Sequence, residues 1–356
     1  INVEVDFSGL APAAAPSQDP EELHRRVRHD ARDVETLRAL FAAVRDAGDV
    51  DRALATAHAL VHLGAAREAE REFFEQRRPR GLIQPTSAVS PEAWRRLLFH
   101  PDEEPLTSEI FAIVAPAVLL GRVAALRHAK ALPALAPEAR HDPRTSTIAA
   151  VRCLGWAAAI LGMPAPPVYA EPERPTLVEV VPAVPPASRL GKLVLSGRTP
   201  EELAFAAGRH LACFREEHFV RTLLPSIPEL EDVFLAALSV GNPGLPLHAD
   251  VKRRVVPIAK AIEPLLEPVL VDRLRGAFLR FVEEGGRTNL QRWAVAADRT
   301  AARAGMLLAG DLGAAERVLA LDAGVDARAF VDDLVVFVTS ERYTRLRKQI
   351  GVAVTA

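Results

Sequence analysis

Apolar residues recur at intervals of three and four positions along most of the chain, which is the pattern of amphipathic helices. Between Glu21 and Arg78 this pattern predicts helical hairpins with a turn at Gly48 and Asp49. The same spacing predicts later helices at Pro91–Phe99, Thr107–Leu132, Ser146–Leu161, Asp232–Val240, Leu247–Glu283, around Asp298, and at Ala327–Ile350.

The pattern changes between Pro164 and Ser196, where short apolar runs alternate with proline-rich turns. These runs predict three short strands, at Pro167–Ala170, Leu177–Val181 and Leu190–Leu195. We therefore expect a mainly α protein of the α+β class. Its expected parts are a linker (1–19), N-terminal helical hairpins (20–80), a helical middle region (81–163) and a helical domain with a small β-sheet (164–356).

The stretch from Thr199 to Phe219 predicts a helix with a clearly marked start. Thr199 fits the N-cap, Pro200 fits the first helical position, and Glu202 stands where a capping box places its carboxylate. Behind this cap, one helical face is apolar and is expected to be buried: Leu203, Ala206, Ala207, Leu211 and Phe214.

This stretch, TPEELAFAAGRHLACFREEHF, resembles the active-site helix of the zinc metallopeptidases related to the HtpX heat-shock protease, the CAAX prenyl endopeptidase and the BepA-type periplasmic proteases. Their pattern is E-E-L-x-x-x-L-x-H-E-x-x-H-x-x-x-x-H. Glu201, Glu202 and Leu203 match its start, and His218 matches its last histidine. In H-E-x-x-H the two histidines bind zinc and the glutamate is the general base.

The chain departs from that family at every position that would hold the metal. Arg209 and Cys213 replace the two histidines, and His210 replaces the glutamate. An arginine cannot ligate a metal, because its guanidinium is always protonated and has no acceptor. The later segment Leu290–Asp311 resembles the family's third-ligand helix, with Asp298 in its A-D-R motif, but the ligand position holds Ala294.

The resemblance covers Pro164–Ile350 and implies a metallopeptidase-like fold that has lost its zinc. We therefore expect no cofactor and no catalytic residue. The expected function is that of a non-catalytic pseudopeptidase, acting as a protein-interaction or scaffold module through its strand edge or concave helical face. We also expect Arg209 to take over the cationic role of the metal and to pair with Asp298.

Two enzymatic alternatives stay open. A divergent zinc metalloprotease could use relocated ligands, namely His210, Cys213 and His218, with Asp298 contributing, because histidine and cysteine are both competent zinc ligands. Alternatively, Cys213 could be a nucleophile activated by His210 or His218. A metal cluster among His100, Asp102, Glu103 and Glu104 is also conceivable, but we expect this Pro-bounded acidic segment to be a solvated turn.

The N-terminal hairpins resemble one tetratricopeptide unit. Leu37, Leu40 and Val44 lie on one helical face, and Ala53 and Ala57 lie on the inner face of the next helix, where small residues permit close packing. The resemblance implies a protein or peptide partner. It also implies that the chain belongs to a larger tetratricopeptide-containing protein.

Composition narrows the classes of partner. The 44 Lys and Arg residues nearly balance the 46 Asp and Glu residues, giving a net charge of −2, which argues against a nucleic-acid partner. The longest apolar run, Ile110–Leu120, is too short to span a bilayer and contains Pro116, so we expect no transmembrane segment. We expect a soluble chain, with the cytoplasm slightly favoured, and the two cysteines leave the redox compartment open.

Overall fold

The computed structural model describes residues 19–322 and 324–355. The predicted linker, residues 1–19, lies outside the described residues except for Asp19. The described chain is mainly helical with one small mixed sheet, which confirms the expected fold class. It divides into two compact units. The first takes in the described part of Ile1–Pro79, Asp332–Arg345 and the described part of Ala353–Ala356, and the second takes in Arg80–Val331 and Leu346–Val352.

The first unit is built on four helices: α1 (Pro20–His29), α2 (Val34–Asp46), α3 (Val50–His62) and α4 (Glu68–Arg77). Asp19, Asp33 and Asp49 cap the first three of them, because each carboxylate accepts a hydrogen bond from a backbone N–H of the first turn. The predicted turn between α2 and α3 is confirmed, and Gly48 occupies it with φ of 76°.

Polar contacts join residues 332–345 to these N-terminal helices within the first unit. Arg52 is 4% exposed; its Nε donates to the Thr339 carbonyl at 2.9 Å and its Nη1 lies 2.6 Å from Glu21. His24 Nε2 lies 2.9 Å from the Val336 carbonyl oxygen. These contacts bridge about 300 positions of sequence, so the pattern of apolar residues alone could not predict them.

Most other helices belong to the second unit: α5 (Pro91–Ala93, continued by a π-helical turn at Trp94–Leu98), α6 (Pro105–His128), α7 (Ala149–Ile160), α8 (Lys192–Leu195), α9 (Pro200–Ala212), α10 (Glu216–Leu223), α11 (Ile227–Gly241), α12 (Ala249–Ile262), α13 (Pro268–Glu283), α14 (Leu290–Ala309) and α15 (Leu312–Leu319). The last two helices, α16 (Ala327–Val338) and α17 (Glu341–Gln349), each have residues in both units.

The four strands are β1 (Arg140–His141), β2 (Val168–Ala170), β3 (Val178–Val181) and β4 (Ala187–Leu190), in the order β1-β2-β4-β3. The β2–β4 pair is parallel, the other two pairs are antiparallel, and β1 and β3 are the edges. The first two predicted strands are confirmed. The third is wrong beyond Leu190, since Lys192–Leu195 is helical; β4 escapes the apolar pattern because its central residues are polar, Ser188 and Arg189.

The predicted helix from Thr199 is confirmed at its start and wrong at its end. Thr199 and Glu202 form the expected capping box. However, α9 ends at Ala212, and a turn at Cys213 to Arg215 leads into α10. His218 therefore lies on a second helix, which buries its apolar face against α6.

Helix α6 is the only described helix that is long and apolar enough to cross a membrane by length and composition. Half of its most apolar stretch is buried inside the protein. Ile110, Phe111 and Val114 belong to an apolar core shared with Phe234 and Trp293, so α6 serves as the core helix of this unit.

Candidate functional site

Helices α9 and α14, which carry the two motif stretches considered in the sequence, pack backbone to backbone. A Cβ atom added to Gly208 of α9 would lie 2.8 Å from the Ala304 carbonyl oxygen of α14. A Cβ atom added to Gly305 would lie 2.6 Å from the Phe205 carbonyl oxygen. Only glycine permits this approach, so the glycine pair sets the distance between the motif helices.

A cavity of about 360 Å³ lies beside this contact, and we call it the motif groove. Residues 175–180, including most of edge strand β3, form one wall, and residues of α9, α14 and α15 form the others. The structure brings four of the predicted site residues together in these walls: Arg209, His210, Cys213 and Asp298. His218 instead lines a neighbouring cavity of about 110 Å³ that also touches Cys213 and Asp298.

The expected pairing of Arg209 with Asp298 is wrong. The Arg209 guanidinium lies 2.7 Å from Asp322, while the Asp298 carboxylate lies 3.2 Å from Arg221. The cause is the turn after α9, because it lets α10 bring Arg221 to Asp298. Burial raises the pKa of Asp298, and the positive charge and hydrogen bond of Arg221 oppose that rise.

His210 is held in place by a hydrogen bond to a strand. Its Nε2 lies 2.7 Å from the Ser188 hydroxyl of β4, and burial, with a further contribution from the Arg209 charge, lowers the pKa of His210 to about 3. The imidazole is therefore neutral at physiological pH. Ser188 is fully buried on an inner strand and does not line the motif groove, so this hydrogen bond does not expose a nucleophile.

His218 forms a buried ion pair with Glu103. The two side chains are 4% and 3% exposed, and His218 Nε2 lies 2.8 Å from Glu103 Oε2. Thr300 donates its hydroxyl hydrogen to the other carboxylate oxygen. The expectation that the acidic segment is a solvated turn is therefore wrong for Glu103 and His100, which are both buried, while Asp102 is partly exposed and pairs with Arg292 at 3.0 Å.

The two pKa values of this pair move apart. Burial alone would lower the pKa of His218, but the charge and hydrogen bond of Glu103 outweigh it, and the net pKa is raised above 6.5. Burial alone would raise the pKa of Glu103, but His218 and Thr300 outweigh it, and the net pKa is lowered below 4.5. Between about pH 4.5 and 6.5 both groups are therefore charged.

Cys213 is a poor candidate for a nucleophile. Its thiol donates to the Arg209 carbonyl at 3.5 Å, and it forms no hydrogen bond with either histidine. Burial, with a contribution from Asp298, raises the pKa of Cys213 to about 11. The thiolate is therefore scarce at neutral pH.

The positions that would hold the metal by the resemblance do not offer a zinc site. Arg209 has no lone pair to offer, and His210 bonds to Ser188 through its Nε2. His218 bonds to Glu103 through its Nε2, which leaves its buried Nδ1 without a hydrogen-bond partner in the described part of the chain. Ala294, at the third-ligand position, lies in the apolar core with Trp293. Among the residues that the structure describes, no three His, Cys, Asp or Glu side chains form a group that could hold a metal ion.

No family model, curated protein or solved structure matches the chain.

Sequence reasoning missed the residues that complete the site. Asp322 and Arg221 pair with the two charged motif residues, Ser188 holds His210, and Glu103 holds His218. Ser188 and Asp322 carry no motif signal. Glu103 belongs to the acidic segment singled out in the sequence, but nothing there distinguishes it from its partly exposed neighbour Asp102.

Proposed function

We propose that the chain is a non-catalytic relative of the HtpX-type metallopeptidases, and that its motif groove binds an extended peptide segment of a partner protein. The observation that carries this proposal is the combination of an edge strand with metal-incompetent motif residues in one cavity. The groove has an edge strand that could bind a peptide, but its motif positions lack the metal ligands that a zinc peptidase needs to hydrolyse one.

The register of β3 provides the peptide-binding edge. The Gly191 N–H donates to the Leu177 carbonyl at 2.8 Å, which makes Leu177 and Gly191 a hydrogen-bonded pair in the antiparallel β3–β4 ladder. Such pairs alternate with non-hydrogen-bonded ones, so Glu179 bonds to β4 while the backbone groups of Val178 and Val180 point to the open edge. An added strand would pair with those groups.

The walls of the motif groove suit a mainly apolar peptide. Its apolar lining residues are Val178, Val180, Leu193, Val318 and Leu321. Its charged side chains are already engaged in ion pairs. A peptide with apolar side chains would therefore bury surface without leaving a charge unpaired.

The first unit supports a role in protein binding. Ala53, Ala57 and Leu60 of α3 are fully buried, which is the close packing expected of a tetratricopeptide-like hairpin. Such hairpins bind proteins or peptides in repeat arrays. We propose that this unit adds a second contact for the same class of partner.

Selection of peptides tests the proposal. Random heptapeptides would be panned against the chain in the presence of a chelator, and the selected peptide would be measured by fluorescence anisotropy. Val180→Pro removes an N–H from the open edge without breaking the ladder, so we expect it to weaken binding about tenfold or more.

Val180→Thr is the matched control, because it keeps both the β-branched side chain and the N–H, and we expect it to bind like the parent chain. Equal binding by the proline variant would contradict the proposed mode. Chelator-sensitive hydrolysis of casein would favour the zinc protease instead.

A further inference from the structure

A second groove lies beside β1, the opposite edge of the sheet from the motif groove. It is a cavity of about 840 Å³, and its walls come from the segment before and after β1, from α7 and from the proline-rich segment before β2. We call it the basic groove, because Arg140, Arg144 and Arg152 line it together with one carboxylate, Asp142.

The positive charge of the basic groove is largely uncompensated. Asp142 accepts hydrogen bonds from the backbone and the guanidinium of Arg144, with an N–O distance of 3.4 Å in the ion pair. Arg140 and Arg152 are exposed, and neither forms an ion pair within the described residues. Two guanidinium groups are therefore available to an anionic partner.

Prolines and a tryptophan line the basic groove together with the arginines. Pro143 packs on Gly155 so closely that a Cβ atom on the glycine would lie 2.5 Å from the proline Cβ atom. Pro166 and Pro167 line another part of the groove, and Trp156 is half-buried in its wall. Prolines have a fixed φ, which stiffens these parts of the wall, and they have no N–H to donate to a ligand. A bound ligand would therefore be contacted mainly by the arginine and tryptophan side chains.

We propose that the basic groove binds an extended acidic peptide segment of a partner protein. Its carboxylates would bond to Arg140 and Arg152, because guanidinium groups match carboxylate geometry. Its apolar side chain would lie on Trp156, since aromatic rings and arginines are the preferred anchors of protein interfaces. Arg140 comes from β1 and Arg152 from helix α7, a distribution that fits charges spaced along a chain.

This inference does not rest on the function proposed for the motif groove, and the two can fail separately. The probe is a fluorescein-labelled peptide, Glu-Asp-Phe-Glu-Asp-Pro-Glu, followed by fluorescence anisotropy at low ionic strength. We expect binding that weakens as salt is added, because the contacts are charged and exposed. The same peptide with Gln and Asn in place of Glu and Asp should bind at least about tenfold more weakly.

The test variant is the double substitution Arg140→Glu, Arg152→Glu. Charge reversal should weaken binding about tenfold or more. The matched control is Arg273→Glu, which reverses an exposed arginine of α13 that lines neither groove, and it should bind like the parent chain. Val180→Pro should also leave this binding unchanged.

Three outcomes would overturn the proposal. They are no binding of the peptide by the parent chain, equal binding by the double charge-reversal variant, and tighter binding of inorganic phosphate or single-stranded DNA than of the peptide. Circular dichroism would confirm that the variant is folded. If it is not, Arg140→Gln with Arg152→Gln takes its place, with the same expected direction.

Discussion

The ion pair of Glu103 and His218 is a buried charged contact that joins the acidic segment to α10. Two charges removed from water are costly, and they are tolerated because each neutralises the other and Thr300 bonds to the carboxylate. Removing one partner leaves the other buried without compensation.

We therefore predict that Glu103→Ala lowers the free energy of unfolding by about 3–5 kcal/mol. Urea denaturation measures this change in the free energy of unfolding. The control is Glu92→Ala, because Glu92 forms an exposed ion pair with Arg96. Exposed pairs contribute little, so the control should change stability by less than about 1 kcal/mol. Equal effects of the two substitutions would show that the Glu103 pair does not stabilise the fold.

The same pair predicts a pH dependence of stability. The pKa of His218 is raised, so its contribution is complete below the ordinary value of 6.5 and is lost as pH rises through the pKa of the folded state. The pKa of Glu103 is lowered, so its contribution is complete above the ordinary value of 4.5 and is lost as pH falls through the pKa of the folded state.

The difference in unfolding free energy between the parent chain and Glu103→Gln should therefore be largest between pH 4.5 and 6.5 and decrease on both sides. Urea denaturation across this range measures it. A difference that does not vary with pH would mean that the pair is not ionised in the folded protein.

The sequence identifies the odd residues of the site better than their partners. Arg209, His210 and Cys213 stand out because they differ from the motif that this stretch resembles. Their contacts depend on where distant segments meet: Asp322 lies 113 positions after Arg209, and Ser188 lies on an inner strand. No local sequence pattern predicts such contacts between distant segments.

At the level of elements, the contact between α9 and α14 positions the motif groove. It depends on two glycines, since Cβ atoms at Gly208 and Gly305 would collide with the backbone of the facing helix. Backbone cannot move aside as a flexible side chain can, so the helices would have to separate.

We predict that Gly208→Ala lowers the free energy of unfolding by about 1–3 kcal/mol through overpacking. The control is Gly276→Ala in α13, where an added Cβ meets no atom within 4 Å. Alanine is the better helix former, so this control should raise stability by about 0.5–1 kcal/mol. Thermal or urea denaturation compares them, and a stabilising Gly208→Ala would contradict the close helix contact.

The pattern of apolar residues predicts where helices form better than it predicts where one helix ends and the next begins. The helical pattern from Leu247 to Glu283 is one run in the sequence, yet the chain forms α12 and α13 with a 3₁₀ turn at Glu263–Leu265 between them. The apolar period continues across such breaks, because both helices bury apolar faces. Pro264 and Pro268 were the available local signals.

At the level of the whole molecule, the two proposed sites lie at opposite edges of one sheet. The motif groove lies at β3 and the basic groove at β1, and both belong to the second unit. Grooves beside the edge strands of a sheet are suited to binding extended segments of partner proteins.

We predict that the purified chain holds well below one zinc per molecule, because Arg209 cannot ligate a metal. Plasma mass spectrometry on protein purified without chelator measures this content. Stoichiometric zinc that is lost in Cys213→Ser and His218→Ala variants would contradict the non-catalytic interpretation and would support relocated ligands.

The division into two units has no counterpart in the pattern of apolar residues. The pattern places residues 332–345 in a C-terminal helical run, but they pack with the N-terminal helices through contacts such as Arg52 with Thr339. Such pairing is set by tertiary packing, which a period of apolar residues does not specify.

If peptides bind by pairing with the open edge of β3, they should protect its backbone amides. Hydrogen–deuterium exchange mass spectrometry across residues 175–181, with and without the selected heptapeptide, measures this protection. We expect slower exchange of the backbone amides in this segment on binding, and no such change for Val180→Pro. Peptide binding that leaves exchange in β3 unaltered would contradict this pairing.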